Sequence, residues 1–306
     1  MKPIILSLLS VLIISKQCSG QEKYDLKTYD LQSHVKSIRT SSFKASDSAG
    51  IISKGAPIEE AQSQSIFNQE GNRTEFSYYN PDGSLREKIK QQYDNAGKLI
   101  TMAVYTSDES LNYRTVYTYD NNQKLTEFNS YNPEGILTDK LIYTYDEKGN
   151  IAEFSTFGSE GLLLNKRTYK YDDNRNMTES NSYNASGNLR ARYTYKYDNN
   201  GNKTENATFN ADGSLREKST YKYDDKGNMA EAFEYNSYGS LSYRLTYKYD
   251  EKKNVLENSY FKSDGSLLRK TNYSYEYDKN GNWIKKITIT NGKPVQINER
   301  EIEYYD

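Results

Sequence analysis

Tyr-x-Tyr-Asp recurs along this chain with its aspartate at Asp120, Asp146, Asp172, Asp198, Asp224 and Asp250, each 26 residues after the one before. That fixed step constrains the fold more than any other feature. Asp94 continues the series upstream, Asn68 takes the same place one step earlier, and Asp278 follows after a step of 28. Counting the aspartate as position 0, position 17 is leucine in all eight complete units, from Leu85 to Leu267. Position 11 is always aromatic, position 20 is always Lys or Arg, and position 7 is Glu in seven of the eight, with Thr101 the exception. Self-similarity at such a period marks a repeat architecture, in which each unit is one supersecondary element stacked on its neighbours.

Each unit also repeats within itself. Tyr223-Asp224-Asp225-Lys226-Gly227-Asn228-Met229 and Phe209-Asn210-Ala211-Asp212-Gly213-Ser214-Leu215 share one grammar: aromatic, Asp or Asn, two free residues, Gly, a small polar residue, an apolar one. This is the grammar of a hairpin turn. The Asp or Asn side chain caps the turn, and the glycine three later takes the left-handed conformation. Asp146 with Gly149, Asp198 with Gly201 and Asp224 with Gly227 are expected in these structural roles. Gln123, Arg175, Lys253 and Glu109 replace that glycine, and looser turns are expected there.

One unit is therefore two strands and two turns. The expected fold is all-β, an antiparallel meander of 26-residue two-strand repeats forming an elongated, strongly twisted or rolled sheet. Open sheets rarely exceed ~10 strands without curling. If position 11 faces 17 across one turn, and Tyr 25 faces the next position 5 across the other, odd positions share one face throughout. That face would collect the leucines, the tyrosines and position-5 residues such as Leu99, Ile151, Met229 and Trp283, leaving the even face polar and wet. Position-7 Glu would then lie opposite the first tyrosine of the following Tyr-x-Tyr.

Composition fits a thin-cored, ordered chain. Only 35% of residues are hydrophobic, yet tyrosine alone fills 31 positions, and its ring can bury area that hydropathy scales understate. With 41 basic against 42 acidic residues, the charge balance makes no case for nucleic acid as a partner. One histidine and one cysteine exclude a zinc cluster, a Cys/His nucleophile pair and an intrachain disulfide.

Met1-Lys2 followed by the apolar run Ile4 to Ile14 reads as a signal peptide over residues 1–20, too short for a transmembrane span. Ser15-Lys16-Gln17 is a poor lipobox, which favours cleavage before Gln21 over a lipid anchor at Cys18. The expected location is exported: periplasm, cell surface or secreted. Residues 21–67 are expected to be an N-terminal cap with a loop insertion, in which Val35 to Phe43 is strand and a Ser/Ala/Gly loop runs to about Pro57. The spacing of Asp30 from Asn68 is one unit plus twelve residues. Tandem repeats occupy 68–278, and 279–306 form a capping hairpin around Asn291-Gly292.

Tyr145-Asp146-Glu147-Lys148-Gly149-Asn150 and Tyr197-Asp198-Asn199-Asn200-Gly201-Asn202 resemble the YD repeats of rearrangement-hotspot (RHS) proteins, over about residues 68–282. That resemblance implies β-hairpins winding into shells, often around a toxic cargo. The period here is longer, and repeat sequence runs to Tyr304-Tyr305-Asp306. The Tyr-Asn-x-Asp-Gly-Ser-Leu half-unit is also similar to MORN repeats and to cell-wall-binding hairpin repeats.

No constellation of catalytic residues stands out, and no cofactor or metal is expected. Asp-x-x-Gly-Asn could be offered as a calcium loop, but one loop supplies few ligands and a bare turn wants the same residues. The lone His34 has no evident partner. Seven equivalent glutamates form a structural ladder rather than a glycosidase pair, which needs two carboxylates in distinct environments. Tyrosine rings suit sugars, peptides or another sheet. The variable aromatics Tyr78, Tyr113, Tyr238, Tyr243 and Tyr260 are expected to be exposed and to bind ligand, whereas the Tyr-x-Tyr pairs form core. The function expected is a non-enzymatic binding or scaffold module whose partner is a polysaccharide or envelope protein. The alternative is an RHS-like shell or accessory protein of a toxin or secretion system.

Overall fold

Between its turns the chain alternates β-formers with polar residues, as in Leu189-Arg-Ala-Arg-Tyr-Thr-Tyr-Lys-Tyr197, and such segments favour a pleated, half-buried surface. In the computed structural model, described for residues 25–27, 29, 31–59 and 62–306, nearly every such segment is a strand. The first three are β1 (Val35–Ser48), β2 (Ile51–Pro57) and β3 (Gln62–Phe67). The repeats supply β4 (Arg73–Tyr79), β5 (Leu85–Tyr93), β6 (Leu99–Tyr105), β7 (Leu111–Tyr119), β8 (Leu125–Tyr131), β9 (Leu137–Tyr145), β10 (Ile151–Gly158) and β11 (Leu163–Tyr171). They continue with β12 (Met177–Asn184), β13 (Leu189–Tyr197), β14 (Lys203–Asn210), β15 (Leu215–Tyr223), β16 (Met229–Tyr235), β17 (Leu241–Tyr249), β18 (Val255–Lys262) and β19 (Leu267–Tyr277). β20 (Trp283–Thr290) and β21 (Lys293–Tyr304) end the series. The signal-peptide segment, Cys18 and Asp30 lie outside the described residues.

From β3 to β21 the strands form an unbroken antiparallel meander. β1 then pairs with β21 on one side, from Val35↔Tyr304 to Lys44↔Gln296, and with β3 on the other, from Ser37↔Ile66 to Thr40↔Ser63. The sheet has no free end. It closes into a barrel of 20 strand positions, and the elongated or open twisted sheet expected from the repeats is corrected accordingly. Residues 21–67 and 279–306, expected as end caps, contribute the two strands that meet at the seam. The physical reason is twofold: closure pairs the backbone groups that two open edges would leave bare, and the register curls the sheet toward it. Cross-strand partners run Glu205↔Thr220↔Phe233↔Arg244↔Phe261, climbing from position 7 to position 11 over four strand steps. A stagger of one residue per strand corresponds to a tilt of roughly 35° and, for a circular section, a backbone cylinder roughly 35–40 Å across.

The twelve-residue insertion has a structural counterpart. Ala45 to Ser48 of β1 pair only with Ile51 to Lys54 of β2, so this hairpin stands beyond the rim carrying the position-15 turns. The Ser/Ala/Gly loop expected up to Pro57 is therefore a strand from Ile51 onward. At the opposite rim Leu31, Val35, Ile38 and Phe67 bury one another, with Leu26, Tyr29, Ile302 and Tyr304 packed around them. This is the principal apolar cluster of the described residues, and it plugs the seam rather than the barrel's centre.

The turns form as their residues require. Gly149, Gly201 and Gly227 hold φ of 85°, 80° and 78°. Each aspartate accepts from the backbone N–H four residues on, as in Asp146 to Asn150 at 2.7 Å and Asp198 to Asn202 at 2.8 Å, and its second oxygen accepts from the same asparagine's Nδ2. Gln123, Arg175, Lys253 and Glu109 adopt φ of 67°, 65°, 67° and 63°. Their N–H groups still donate across the turn at 2.9–3.1 Å, as the glycines do. Those turns are not looser; the backbone carries the strain instead.

A register shift beside every turn overturns the expected faces. Phe209↔Leu215 and Tyr197↔Lys203 pair as expected across their turns, but Thr204 and Arg216 are then skipped as bulge residues. The bulges exchange the faces of one strand relative to the next. Positions 7, 9 and 11 consequently share a face with 20, 22 and 24, whereas positions 8 and 10 share one with 19, 21 and 23. Position-7 Glu lies opposite the position-24 residue, as in Lys196↔Glu205, and not opposite a tyrosine.

Candidate functional site

The two faces have different chemistry. One carries an ion-pair ladder: Glu179 meets Lys170 at 2.8 Å, Glu205 meets Lys196 at 2.9 Å, and Glu257 meets Lys248 and Lys270 at 3.2 and 2.8 Å. Position-20 cations on this face also cover the position-11 rings, Arg192 over Phe209 at 4.3 Å and Arg244 over Phe261 at 4.4 Å. Lys170, Lys196 and Lys248 remain about 70% exposed.

The other face carries the tyrosines. At its centre Tyr117, Phe128, Tyr143 and Phe154 form a ribbon across β7 to β10, with successive ring centroids 5.7, 6.5 and 5.5 Å apart. Burial pushes the phenols of this face up: Tyr169 to about 12, and Tyr113, Tyr195, Tyr221 and Tyr247 in the same direction. Side chains converge on the concave side of a cylinder and diverge on the convex side. The desolvated tyrosine face is thus the lumen wall, and the wet ion-pair ladder is the outer wall.

The second tyrosine of Tyr-x-Tyr has a recurrent structural task, which in Tyr275-Glu276-Tyr277 passes to Tyr275, donating to the Val255 carbonyl at 3.0 Å while Tyr277 donates to Asp250. Within a unit the two strands pair only as far as positions 7 and 22, as in Glu205↔Thr220, and then part. The tyrosine hydroxyl donates to the position-5 carbonyl exposed by that parting: Tyr119 to Leu99 at 2.7 Å, Tyr145 to Leu125 at 2.5 Å, Tyr197 to Met177 at 2.9 Å, Tyr223 to Lys203 at 2.7 Å. Tyr305 does the same for Phe67 at the seam, at 2.6 Å.

Four of the five variable aromatics lie on the tyrosine face, in two groups. Tyr243 and Tyr260 stack at 4.8 Å beside Glu234 and Arg269. Tyr78 lies across from Glu87, edge-on to Phe76 at 4.5 Å, and Tyr113 follows three strands on. All four are half-buried, contrary to the exposure expected of them. Tyr238 stands apart at a turn tip, 91% exposed. The ribbon, by contrast, escaped sequence reading, because position 8 holds Phe only at Phe76, Phe128 and Phe154 and its pairing with position 23 depends on the bulges. His34 is exposed, its carbonyl accepting from the Tyr305 N–H at 2.9 Å. Among the described residues no cluster of three or more His, Cys, Asp or Glu could hold a metal ion, and no helix is long and apolar enough to cross a membrane.

No protein-family description matches the chain, and no curated protein matches it. Solved structures similar to it include a porin-like protein from Bacteroides uniformis, 10% identical, spanning 94% of this chain and 100% of that one with a TM-score of 0.38. A porin-like protein from Bacteroides vulgatus is 12% identical over 89% of this chain and 99% of that one, with a TM-score of 0.31. The TcdB2-TccC3 structure is 15% identical over 76% of this chain but only 15% of that one, with a TM-score of 0.32.

Proposed function

We propose that the chain is a non-enzymatic, exported binding barrel of a bacterial envelope that takes a polysaccharide along its lumenal aromatic face. The observation that carries this reading is the ribbon Tyr117–Phe128–Tyr143–Phe154, a row of rings on the enclosed wall with the Thr115 and Ser130 hydroxyls beside it and Arg167 across from Phe154. Such rings offer large contact area at low entropic cost, and a row of them gains through multivalency. The outer wall supports an aqueous rather than a lipid setting. Its Glu–Lys ladder would face acyl chains, where each Lys or Arg near the midplane costs ~2–4 kcal/mol. Export rests on the apolar run Ile4 to Ile14 behind Lys2.

The test is a glycan array followed by titration with oligomers of increasing length. Affinity is expected to climb with length, and Phe128→Ala with Tyr143→Ala to weaken binding while far-UV circular dichroism keeps its β signature. Absence of length dependence on every polysaccharide would transfer the proposal to protein scaffolding. A second reading, a shell enclosing a partner, draws on the wide barrel, whose centre no described element occupies. Recovery of one protein protected inside the barrel from protease, after co-expression, would favour it.

A further inference from the structure

Position 5 is aliphatic or Trp in seven of the nine units, Leu99 and Met177 among them. Arg73 and Lys203 break that rule, and the structure treats them differently. Arg73 is covered: it is 5% exposed, its Nε donates to Gln91 at 2.9 Å, its Nη1 to the Tyr29 hydroxyl, and its guanidinium lies 4.6 Å from the Phe76 ring. Lys203 has no such cover. Its ammonium sits over the rings of Tyr195 and Tyr221 at 5.7 and 5.6 Å, and burial alone holds its affinity for a proton down. Two strands before β13, Arg167 occupies position 21, where other units carry residues such as Leu141, Leu245 or Thr115. Its guanidinium lies 5.4 Å from the Tyr193 ring.

These residues share one stretch of lumen wall. Tyr169↔Ser180 and Ser180↔Tyr193 are direct cross-strand pairs, and Arg167 and Tyr195 lie two residues from Tyr169 and Tyr193, hence on the same face. Tyr193 and Tyr195 are roughly 7 Å apart along β13, with Arg167 approaching from β11 and Lys203 from β14. No carboxylate pairs with either cation among the described residues. Between the rings, the Ser180 side chain is buried, the residue being 2% exposed, and its hydroxyl has no hydrogen-bond partner. A buried hydroxyl without a partner is uncommon in a native protein. Beside it, among the described residues, Arg167 has only the Tyr169 hydroxyl and the Tyr193 ring as partners, and Lys203 only the rings of Tyr195 and Tyr221, so neither positive charge meets a negative one.

We propose that Arg167, Tyr169, Ser180, Tyr193, Tyr195 and Lys203 form a binding site for the acidic sugars of a uronic-acid polysaccharide. The guanidinium suits a carboxylate bidentately, the ammonium suits a second charge along the polymer, and the tyrosines suit pyranose faces. The inference rests on the polysaccharide reading above and adds its charge class.

The test compares oligogalacturonate with its methyl ester of equal length, which keeps the rings and removes the charge, by calorimetry at low and moderate salt. The acid is expected to bind roughly tenfold or more tightly than the ester, an advantage that shrinks as salt rises. Arg167→Leu with Lys203→Met should abolish the preference. Both substitutions install residues that the array itself carries at those positions, in Leu141, Leu245, Met177 and Met229, so the barrel is retained. Ser180→Ala, matching Ala232, should weaken acid binding severalfold without lowering the melting temperature. Equal affinity for acid and ester, or a preference surviving the double substitution, overturns this site while leaving the polysaccharide reading standing. No binding of either form, nor of any neutral polymer, overturns both. Tighter binding of single-stranded oligothymidine than of oligogalacturonate overturns the sugar assignment.

Discussion

At the scale of single residues, the left-handed position in each turn is where local chemistry is most exposed to test. Gly213 holds φ of 85° with nothing within 4 Å of where a Cβ would stand, so a side chain there meets no clash and only backbone strain. Lys253 holds φ of 67° without glycine's freedom. Gly213→Ala should therefore destabilise by about 1–2 kcal/mol, and Lys253→Gly should stabilise by about 0.5–1 kcal/mol, both read by chemical denaturation. Matching shifts of the same sign would show that neighbouring contacts, not φ, decide these turns. The turn residues were legible in sequence, because they act within five positions of one another, but the looseness expected at Gln123, Arg175, Lys253 and Glu109 was not found. The faces were not legible. A bulge beside each turn leaves no distinctive residue type at positions 6 and 18, where Thr204, Leu256, Arg216 and Leu268 all serve.

At the scale of the element, each unit adds two strands and two residues of stagger. Stagger and strand number therefore rise together, and the tilt stays constant however many units the barrel holds. Deleting residues 199–224 should leave a ring that still closes at the same tilt, β21 meeting β1 antiparallel, with a smaller hydrodynamic radius by size-exclusion chromatography. Deleting only thirteen residues there would remove one strand and bring β21 to β1 parallel, a pairing that Val35↔Tyr304 to Lys44↔Gln296 does not allow. That variant should fail to form a monomeric barrel. Equal behaviour of the two deletions would argue against register as the closing principle.

At the scale of the whole molecule, stability is spread over many half-buried rings rather than a central core. Desolvation raises Tyr119, Tyr145, Tyr169 and Tyr275 each to about 12, against roughly 10 for an unfolded tyrosine. A phenol whose folded value is raised contributes stability that is complete below the unfolded value and is lost as pH climbs toward the folded one. The barrel is expected to hold up to about pH 10 and to unfold steeply between about pH 10 and 12, with phenolate absorbance and loss of β circular dichroism coinciding. Smooth ionisation of these tyrosines near pH 10 in a barrel that stays folded would contradict the enclosed position assigned to that face.

Hairpin repeats, antiparallel order and turn residues were determined by the sequence itself, since each depends on short-range grammar repeated every 26 residues, whereas the twelve-residue insertion was legible only as a loop where the structure has the β1–β2 hairpin. The aromatic ribbon, the Glu–Lys ladder and the Arg167–Lys203 site were decided only by the tertiary structure. Each joins residues through bulged registers, and a one-residue shift in pairing sends a side chain to the opposite wall. Closure was likewise beyond the repeat pattern. It depends on the small stagger accumulated around the whole ring and on whether Val35–Ser48 and Lys293–Tyr304, the least regular strands of the chain, meet in register.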